Sequence, residues 1–291
     1  MALSDAEVVI LTVMYAMTML AALLGNIIII YIVWKRPAVQ SLTSFMFVNM
    51  AVADLMVTVF MMPVSISDLN GYFKWMIPGL VGGITCRAIP FITHTTVMAS
   101  VLCLTVMAID RFYAFIFPLM GGTPWFRKSK YITPLIWIVS MVLMSIVPLY
   151  YKFFEKTSQC ANYGFYPPGN IRGFMLYLFI VTYFVPLVFI SILYGKTAHA
   201  IWFRHVPGNE LNENQQHQQE ISKKRAVRML IIIVITFAIC WLPGQALTLF
   251  WAVTRFSITL PDILMYLAFW LGHANSEIGR ASCRERVYVL V

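Results

Sequence analysis

The chain has 291 residues, of which 60% are hydrophobic and only 11% are charged. An ordinary soluble domain has about 25% charged residues, so this composition excludes a water-soluble globular protein and indicates a multi-pass membrane protein. The net charge of +9 does not indicate nucleic-acid binding, because the Lys and Arg residues lie in short gaps between apolar blocks, where they set membrane topology.

Several apolar stretches are long enough to cross a bilayer, which takes about 20 residues. In chain order they are residues 8–33, 42–66, 84–115, 131–151, 173–199, 227–253 and 261–276. Because every backbone amide in lipid needs an internal partner, each stretch is predicted to be a helix. The predicted fold class is an all-α membrane protein with a seven-transmembrane helix bundle.

The basic residues predict the orientation of this bundle. Most Lys and Arg between the spans fall in connections that face the cytoplasm if the N-terminus is extracellular. The positive-inside rule therefore predicts an extracellular N-terminus. The long polar connection at residues 204–224, rich in Asn and Gln, is cytoplasmic in this orientation and is expected to be mobile.

Charged residues are rare inside the predicted helices. Asp54 lies near the middle of the second span, and Asp110 and Arg111 lie at the inner end of the third. A charge in lipid is costly, so each is a candidate functional residue. Asp54 is predicted to point into the bundle, where neighbouring oxygen atoms either bind a monovalent cation or form a plain hydrogen-bond network. The polar residues available for this are Asn26, Ser100, Asn275 and Ser276. For Asp110 and Arg111, the alternative is an inert ion pair at the helix end.

Prolines and cysteines mark further positions. A proline inside a helix removes a backbone hydrogen bond and kinks it, and the spans contain Pro63, Pro148, Pro186 and Pro243. Trp241 lies two residues before Pro243, too deep for an interfacial anchor. Cys86 and Cys160 both face the extracellular side in this orientation, where they either form a disulfide or remain free thiols. Cys103 and Cys240 lie within helices and are expected to be packing residues.

Each predicted span also carries a short motif. In order, the motifs are Gly25-Asn26; Met50 to Asp54; Cys86 with Asp110-Arg111-Phe112; Trp137; Pro186 with Tyr194; Phe237 with Cys240-Trp241-Leu242-Pro243; and Asn275-Ser276. In this order and spacing they resemble the rhodopsin-like (class A) G-protein-coupled receptors over essentially residues 8–276. Each motif alone is a weak signal, whereas the complete ordered set is specific.

The resemblance implies a switch at the cytoplasmic end. Arg111 would meet a heterotrimeric G protein after activation and would be held by Asp110 at rest, and Phe112 stands in place of the usual Tyr. An acidic residue at the start of the sixth span, which would restrain Arg111 a second time, is replaced by Lys223, Lys224 and Arg225. The other coupling residues that the resemblance implies are Val101, Pro186 and Phe237 as a packing triad, Trp241 as the pocket floor, Pro243 and Tyr194. Arrestin is a further partner implied by the family.

The resemblance also implies an allosteric ion and a ligand class. Asp54, Ser100, Asn275 and Ser276 resemble the family's sodium site, and a sodium ion is the only cofactor expected. Thr93-His94 stand where amine receptors have an Asp, and His273 replaces the opsin lysine, so a monoamine receptor and an opsin are disfavoured. The spans are most similar to the neuropeptide receptors, such as those for neuropeptide Y, tachykinins, galanin and RFamides.

The predicted ligand pocket lies at the extracellular mouth of the bundle. Its residues are Thr93, His94, Gln245, His273, Trp241 and Asp68. Asp68, Glu155 and Asp262 form an acidic rim for a basic peptide, or are ordinary solvated charges. The sequence contains no catalytic motif, so no enzyme activity is expected. The alternatives are a secondary transporter or channel, although inverted repeats are not evident, and a receptor for a non-peptide ligand.

Residues 277–291 depart from the family pattern. Two acidic residues and three arginines occur there, where a helix should still be inside the membrane. The run resembles the translation of a sequencing-library adapter. We therefore expect residues 1–276 to form the receptor domain in a plasma-membrane protein, with an incomplete seventh helix, and residues 277–291 to be a non-native tail; the alternative is a truncated isoform.

Overall fold

The computed structural model describes residues 3–37, 40–71, 75, 77–116, 128–162, 171–203, 213–254 and 260–287. Its helices are α1 (Asp5–Lys35), α2 (Leu42–Gly71), α3 (Gly79–Ile116), α4 (Ser129–Met144), α5 (Ile171–Phe179), α6 (Val185–Phe203), α7 (Glu213–Thr254) and α8 (Asp262–Val287). A π-helical turn, Ile180–Phe184, joins α5 and α6 into one long segment, which we call the fifth segment. Within these ranges the bundle has seven helical segments, one at each predicted span, and six of them are long and apolar enough to cross a membrane.

Several helices begin outside the predicted apolar spans. Helix α1 begins at Asp5 because Ser4 and Glu7 form a capping box that satisfies the first backbone amides. Helix α7 begins at Glu213, so the part of the 204–224 connection that the structure describes is helical. Gln, Glu, Lys and Arg favour helices, which explains this extension into polar sequence. Helix α8 continues past Ser276 to Val287, so its backbone shows no boundary at residue 276.

The prolines do not all act alike. Pro63 and Pro243 lie inside the continuous helices α2 and α7. Pro148 instead lies in a 3-10 helix, Val147–Tyr150, that follows the end of α4. The prediction of an internal kink at Pro148 is therefore wrong, because the fourth helix ends before it.

The π-helical turn has a local cause. Pro186 has no backbone N–H and cannot donate to the carbonyl four residues earlier, so the helix is already irregular at this point. The wider hydrogen-bond spacing of residues Ile180–Phe184 accommodates that loss and changes which side chains face the bundle beyond it. A proline in a span was evident from sequence, whereas the π-helical turn was not.

A β-hairpin, absent from the sequence predictions, follows the fourth helix. Strand β1 (Tyr151–Phe154) pairs antiparallel with β2 (Gln159–Asn162), and Phe153 lies opposite Cys160. Cys160 is bonded to Cys86 near the start of α3, with their Cα atoms 5.6 Å apart. The disulfide between these two cysteines is therefore confirmed, and it fastens the hairpin to the bundle. We call this the disulfide end, and the opposite end, where Asp110 and Arg111 lie in the last two turns of α3, the arginine end.

The core of the bundle surrounds α3. Val101, Leu104 and Met107 of this helix belong to a buried apolar cluster that also draws on α2, α4, α6 and α7. Large apolar side chains such as Leu24 and Val253 are exposed on the outside of the bundle. Such a surface is stable in hydrocarbon and not in water, in agreement with a membrane-spanning bundle.

Polar side chains join some neighbouring helices. Asn49 of α2 is buried; its Nδ2 atom donates to Oγ1 of Thr133 at 3.0 Å, and its Oδ1 atom accepts from Nε1 of Trp137 at 3.0 Å. Trp137 is recognisable from the sequence as a motif residue, whereas Asn49 is not. Because a buried polar group without a partner is destabilising, this residue holds α2 against α4.

We expect Asn49→Ala to lower the stability of the bundle by about 1–3 kcal/mol, because it leaves the Trp137 indole N–H without its acceptor. The measurement is the thermal unfolding temperature of the detergent-solubilised protein. Asn70→Ala is the matched control, because Asn70 is exposed and bonds to Thr12 and to the carbonyl of Ile66. Equal unfolding temperatures for the two variants would contradict this role of Asn49.

Candidate functional site

A small cavity lies between α2, α3, α7 and α8. It contains residues predicted for two different roles, ion binding and switching. The predicted residues that line it are Asp54, Ser100, Asn275, Phe237, Trp241 and His273. The fold therefore brings residues distant in sequence to one internal site.

Asp54, Ser100 and Asn275 form the polar part of the cavity. A carboxylate, a hydroxyl and an amide oxygen are suitable donors for a monovalent cation, so these residues fit the predicted sodium ion. The hydroxyl of Thr58, which also lines the cavity, is engaged by its own helix, donating to the backbone carbonyl of Asp54 at 2.7 Å. The side chain of Ser276 lies outside the described residues.

Asn26 is placed differently from the expectation. It is fully buried, and its Nδ2 atom donates to the carbonyl of Ala22 at 2.8 Å. It is not among the residues that line the cavity. Its Oδ1 atom is buried without a partner among the described residues. Asn26 therefore contributes to the interior of the bundle rather than to this polar cluster.

Trp241 and Gly272 are in direct contact at the side of the cavity. A Cβ atom added at Gly272 would lie 3.3 Å from Cε3 of Trp241. The indole thus lies close against α8 at a position where any larger residue would force it to move. His273 follows Gly272 and lies about 3 Å along the helix axis from Asn275, toward the disulfide end. Its Nδ1 atom is buried without a partner among the described residues.

An aromatic path continues from Trp241. The Phe237 ring centroid lies 6.2 Å from that of Trp241 and 6.4 Å from that of Tyr183. The Tyr183 hydroxyl donates to the backbone carbonyl of Ala238 at 2.8 Å, which joins the fifth segment to α7. Val101 is fully buried in the same cluster as Phe237. Tyr183 was not evident from the sequence, because its role depends on the π-helical turn that contains it.

Asp110 and Arg111 lie at the arginine end of α3. Asp110 is 4% exposed, and its Oδ2 atom lies 3.3 Å from Nη2 of Arg111. The same guanidinium donates a hydrogen bond to the Thr43 hydroxyl of α2. Tyr194 of α6 is buried and lies within electrostatic range of the pair, and Phe112 packs edge-to-face on Tyr113 with ring centroids 6.0 Å apart. The predicted switch residues at this end are thus adjacent, and Thr43 is an addition that the sequence did not suggest.

The predicted ligand-pocket residues are only partly brought together. His273 and Trp241 line the cavity, whereas its lining does not include Thr93, His94, Gln245 or Asp68. The Thr93 hydroxyl donates to the carbonyl of Ile89 at 2.9 Å, and Nδ1 of His94 donates to that of Pro90 at 2.8 Å. Both side chains are therefore engaged by their own helix.

The remaining predicted pocket and rim residues lie toward the disulfide end. Gln245 is one helical turn beyond Trp241, and its Oε1 atom is buried without a partner among the described residues. Glu155 is exposed in the turn of the hairpin, and Asp68 and Asp262 are half-buried at helix ends. These acids are placed around one end of the bundle, as a rim requires.

Comparison with known proteins identifies the family. The model of the 7 transmembrane receptor (rhodopsin family) matches residues 25–278. The chain belongs to this family. The class A resemblance and the seven-helix bundle predicted from sequence are therefore confirmed. Receptors of this family are multi-pass membrane proteins and not enzymes, in agreement with both expectations.

The receptor is similar to several peptide receptors. It is 29% identical to a QRFP-like peptide receptor of Branchiostoma floridae over 81% of this chain and 63% of the relative. It is 26% identical to the pyroglutamylated RF-amide peptide receptor of Mus musculus over 85% of this chain and 59% of the relative. It is 28% identical to the neuromedin-K receptor of Rattus norvegicus over 90% of this chain and 57% of the relative. The chain thus spans roughly six tenths of the length of these relatives.

We expect Gly272→Ala to destabilise the receptor, or to leave its stability unchanged, despite the higher helix propensity of alanine. The new methyl group must displace the Trp241 indole, and this offsets the gain of about 1 kcal/mol that alanine otherwise brings to a helix. Gly195→Ala is the matched control, because a Cβ atom there meets nothing within 4 Å. Thermal unfolding of the solubilised receptor checks this, and equal gains in both variants would refute the close contact with Trp241.

Proposed function

We propose that the receptor lies in the plasma membrane with its disulfide end outside, binds an extracellular peptide there and activates a heterotrimeric G protein at its arginine end. The observation that carries the proposal is the connection between the cavity and the core: Trp241 lines the cavity and packs on Phe237, which lies in the cluster around α3. A ligand that shifts Trp241 would therefore act on the helices that flank Arg111.

The orientation is supported by chemistry at the two ends. The Cys86–Cys160 disulfide is stable in an oxidising compartment, which favours the extracellular side. The described basic residues around the other end, such as Lys35, Lys128 and Lys224, follow the positive-inside rule.

A peptide ligand is supported by the rim and by the relatives. Asp68, Glu155 and Asp262 favour a basic peptide through electrostatic attraction. Beneath them, the buried atoms Gln245 Oε1 and His273 Nδ1 favour a ligand that donates hydrogen bonds, because a buried polar atom without a partner is costly. The relatives named above are receptors for peptides, which favours the same ligand class here.

The proposed mechanism is a population shift between two arrangements of the bundle. The ligand binds one arrangement more tightly and so favours it by its difference in affinity. The fifth segment and α7 are the elements that move, because the fifth segment contains the π-helical turn before Pro186 and α7 lacks a backbone N–H at Pro243. Their outward movement opens a cleft beside Arg111 for the G protein, and arrestin is a second partner for the same cleft.

A sodium ion is proposed as an inhibitor of this shift. Bound to Asp54, Ser100 and Asn275, it would join α2, α3 and α8 and stabilise the resting arrangement. The chemistry of these oxygen donors supports the proposal, and the ion supplies only positive charge.

The test of the proposed function is a screen of amidated neuropeptides against cells that express the receptor with each Gα class. We expect at least one peptide to stimulate guanine-nucleotide exchange, and its affinity to fall when excess guanine nucleotide uncouples the G protein. A peptide that binds with an affinity independent of guanine nucleotide would contradict coupling, and activation by non-peptide ligands alone would contradict the peptide assignment.

We expect Asp54→Asn to abolish the effect of sodium on basal nucleotide exchange, because the neutral amide loses the charge that binds the cation. The measurement compares exchange in membranes in NaCl and in an equal concentration of KCl. Asp68→Asn is the control, because Asp68 is also a carboxylate of α2 but does not line the cavity. An equal sodium effect in wild type and Asp54→Asn would reject the proposed ion site.

A further inference from the structure

The Arg111 guanidinium is held by two different helices. Its Nη2 atom forms the ion pair with Asp110 of α3 and donates to the hydroxyl of Thr43 on α2. Within the described ranges these are the polar contacts that the structure gives to this guanidinium, and its Nε atom is buried without a partner. One of these two polar contacts of Arg111 therefore comes from α2, whereas Arg111 itself lies on α3.

The start of α2 fixes the position of Thr43. Ser41 caps this helix: its Oγ atom accepts from the backbone N–H of Ser44 at 3.2 Å, and its carbonyl accepts from that of Phe45 at 3.0 Å. Thr43 lies in the turn that these bonds define. A capped first turn restricts the backbone, so the Thr43 hydroxyl is presented to α3 by a rigid element.

Nearly two turns beyond Thr43, α2 is also fastened from its other side. Asn49 bonds to Thr133 and Trp137 of α4. This part of α2 is thus held between α3 and α4. Thr43 is therefore a fixed acceptor for Arg111, because the helix that carries it cannot readily follow a moving partner.

The stretch of α7 that corresponds to the start of the sixth span is rich in basic residues, and the side chains of Glu220 and Ser222 lie outside the described residues. Residues 221–228 contain Lys223, Lys224, Arg225 and Arg228 and no Asp or Glu. The side chains of Lys224 and Arg225 are exposed. Positive charges here repel a guanidinium rather than bind it, so this stretch of α7 is not suited to restrain Arg111.

We propose that Thr43 restrains Arg111 in the resting receptor, so that α2 takes the place of α7 in holding the switch. Activation then requires the Arg111 guanidinium to break its hydrogen bond to the Thr43 hydroxyl. Its ion pair with Asp110 lies within α3 and therefore does not join two helices. Thr43 is a positioning residue that acts through Arg111. The proposal deepens the proposed function and rests on it, because release of Arg111 matters only if a G protein binds there.

The first test is basal nucleotide exchange per receptor at the cell surface, measured with each Gα class and no added ligand. Thr43→Val keeps the shape of the side chain and removes the acceptor, and we expect it to raise basal exchange about tenfold, the effect of losing one hydrogen bond to a charged group. Thr43→Ser retains a hydroxyl and should match wild type. Thr105→Val is the matched control, because the Thr105 hydroxyl bonds only to the carbonyl of Val101 in its own helix.

Two outcomes would overturn the proposal. Basal exchange of Thr43→Val equal to wild type would show that the hydroxyl does not restrain Arg111. An equal rise in Thr43→Ser would show that packing, not hydrogen bonding, is responsible. If Thr43→Val does not reach the surface, Thr43→Ala supplies the same comparison.

A second readout needs no G protein. In a Cys283→Ser background, a polarity-sensitive fluorophore on Arg225→Cys reports movement of the arginine end of α7, and Cys103 and Cys240 are buried away from the label. We expect Thr43→Val to change the emission and Thr43→Ser to leave it unchanged; unchanged emission in both would overturn the proposal. A change in emission without nucleotide exchange in any Gα class would instead reject the proposed coupling and leave the restraint intact.

Discussion

The burial of α3 is the constraint on which the rest of the receptor depends. This helix runs unbroken over Gly79–Ile116, about 57 Å at the rise of an α-helix. It carries Cys86 at one end, Ser100 beside the cavity and Arg111 at the other end. Packing on nearly every side and a disulfide at its start restrict its movement. A change at the cavity must therefore reach the arginine end through helices that move against α3 rather than through α3 itself.

The contact between Trp241 and Gly272 shows how little space such a movement has. The indole lies against α8 on one side and near Phe237 on the other. Closely packed interiors do not deform gradually, so a displaced indole favours a second arrangement of α7 rather than a small adjustment. The Tyr183 hydroxyl donates a hydrogen bond to the backbone of α7. A change in the position of α7 therefore also affects the fifth segment. Thr43 adds a restraint from α2 at the far end, so the helix that contributes Asp54 to the cavity also contacts Arg111.

Much of the fold and part of the site follow from single residues and short patterns. Apolar length predicts the spans, the cost of a charge in lipid singles out Asp54, and the ordered motifs indicate the family. Contacts that need the assembled bundle are not visible in sequence. Asn49 is one polar residue among many until Trp137 and Thr133 are beside it. Thr43 resembles any hydroxyl near a helix start, and the hairpin of eight strand residues is too short to stand out beside an apolar span.

The account is tested most directly by distances at the arginine end, measured with pairs of spin labels with and without an agonist and a nucleotide-free G protein. In a Cys283→Ser background, one pair joins Tyr113→Cys of α3 to Arg225→Cys of α7, and the other joins Tyr113→Cys to Gln40→Cys, two residues before α2. The account predicts that the α3–α7 distance increases by several ångströms while the α3–α2 distance stays nearly constant. An unchanged α3–α7 distance, or an equal change in both pairs, would contradict it.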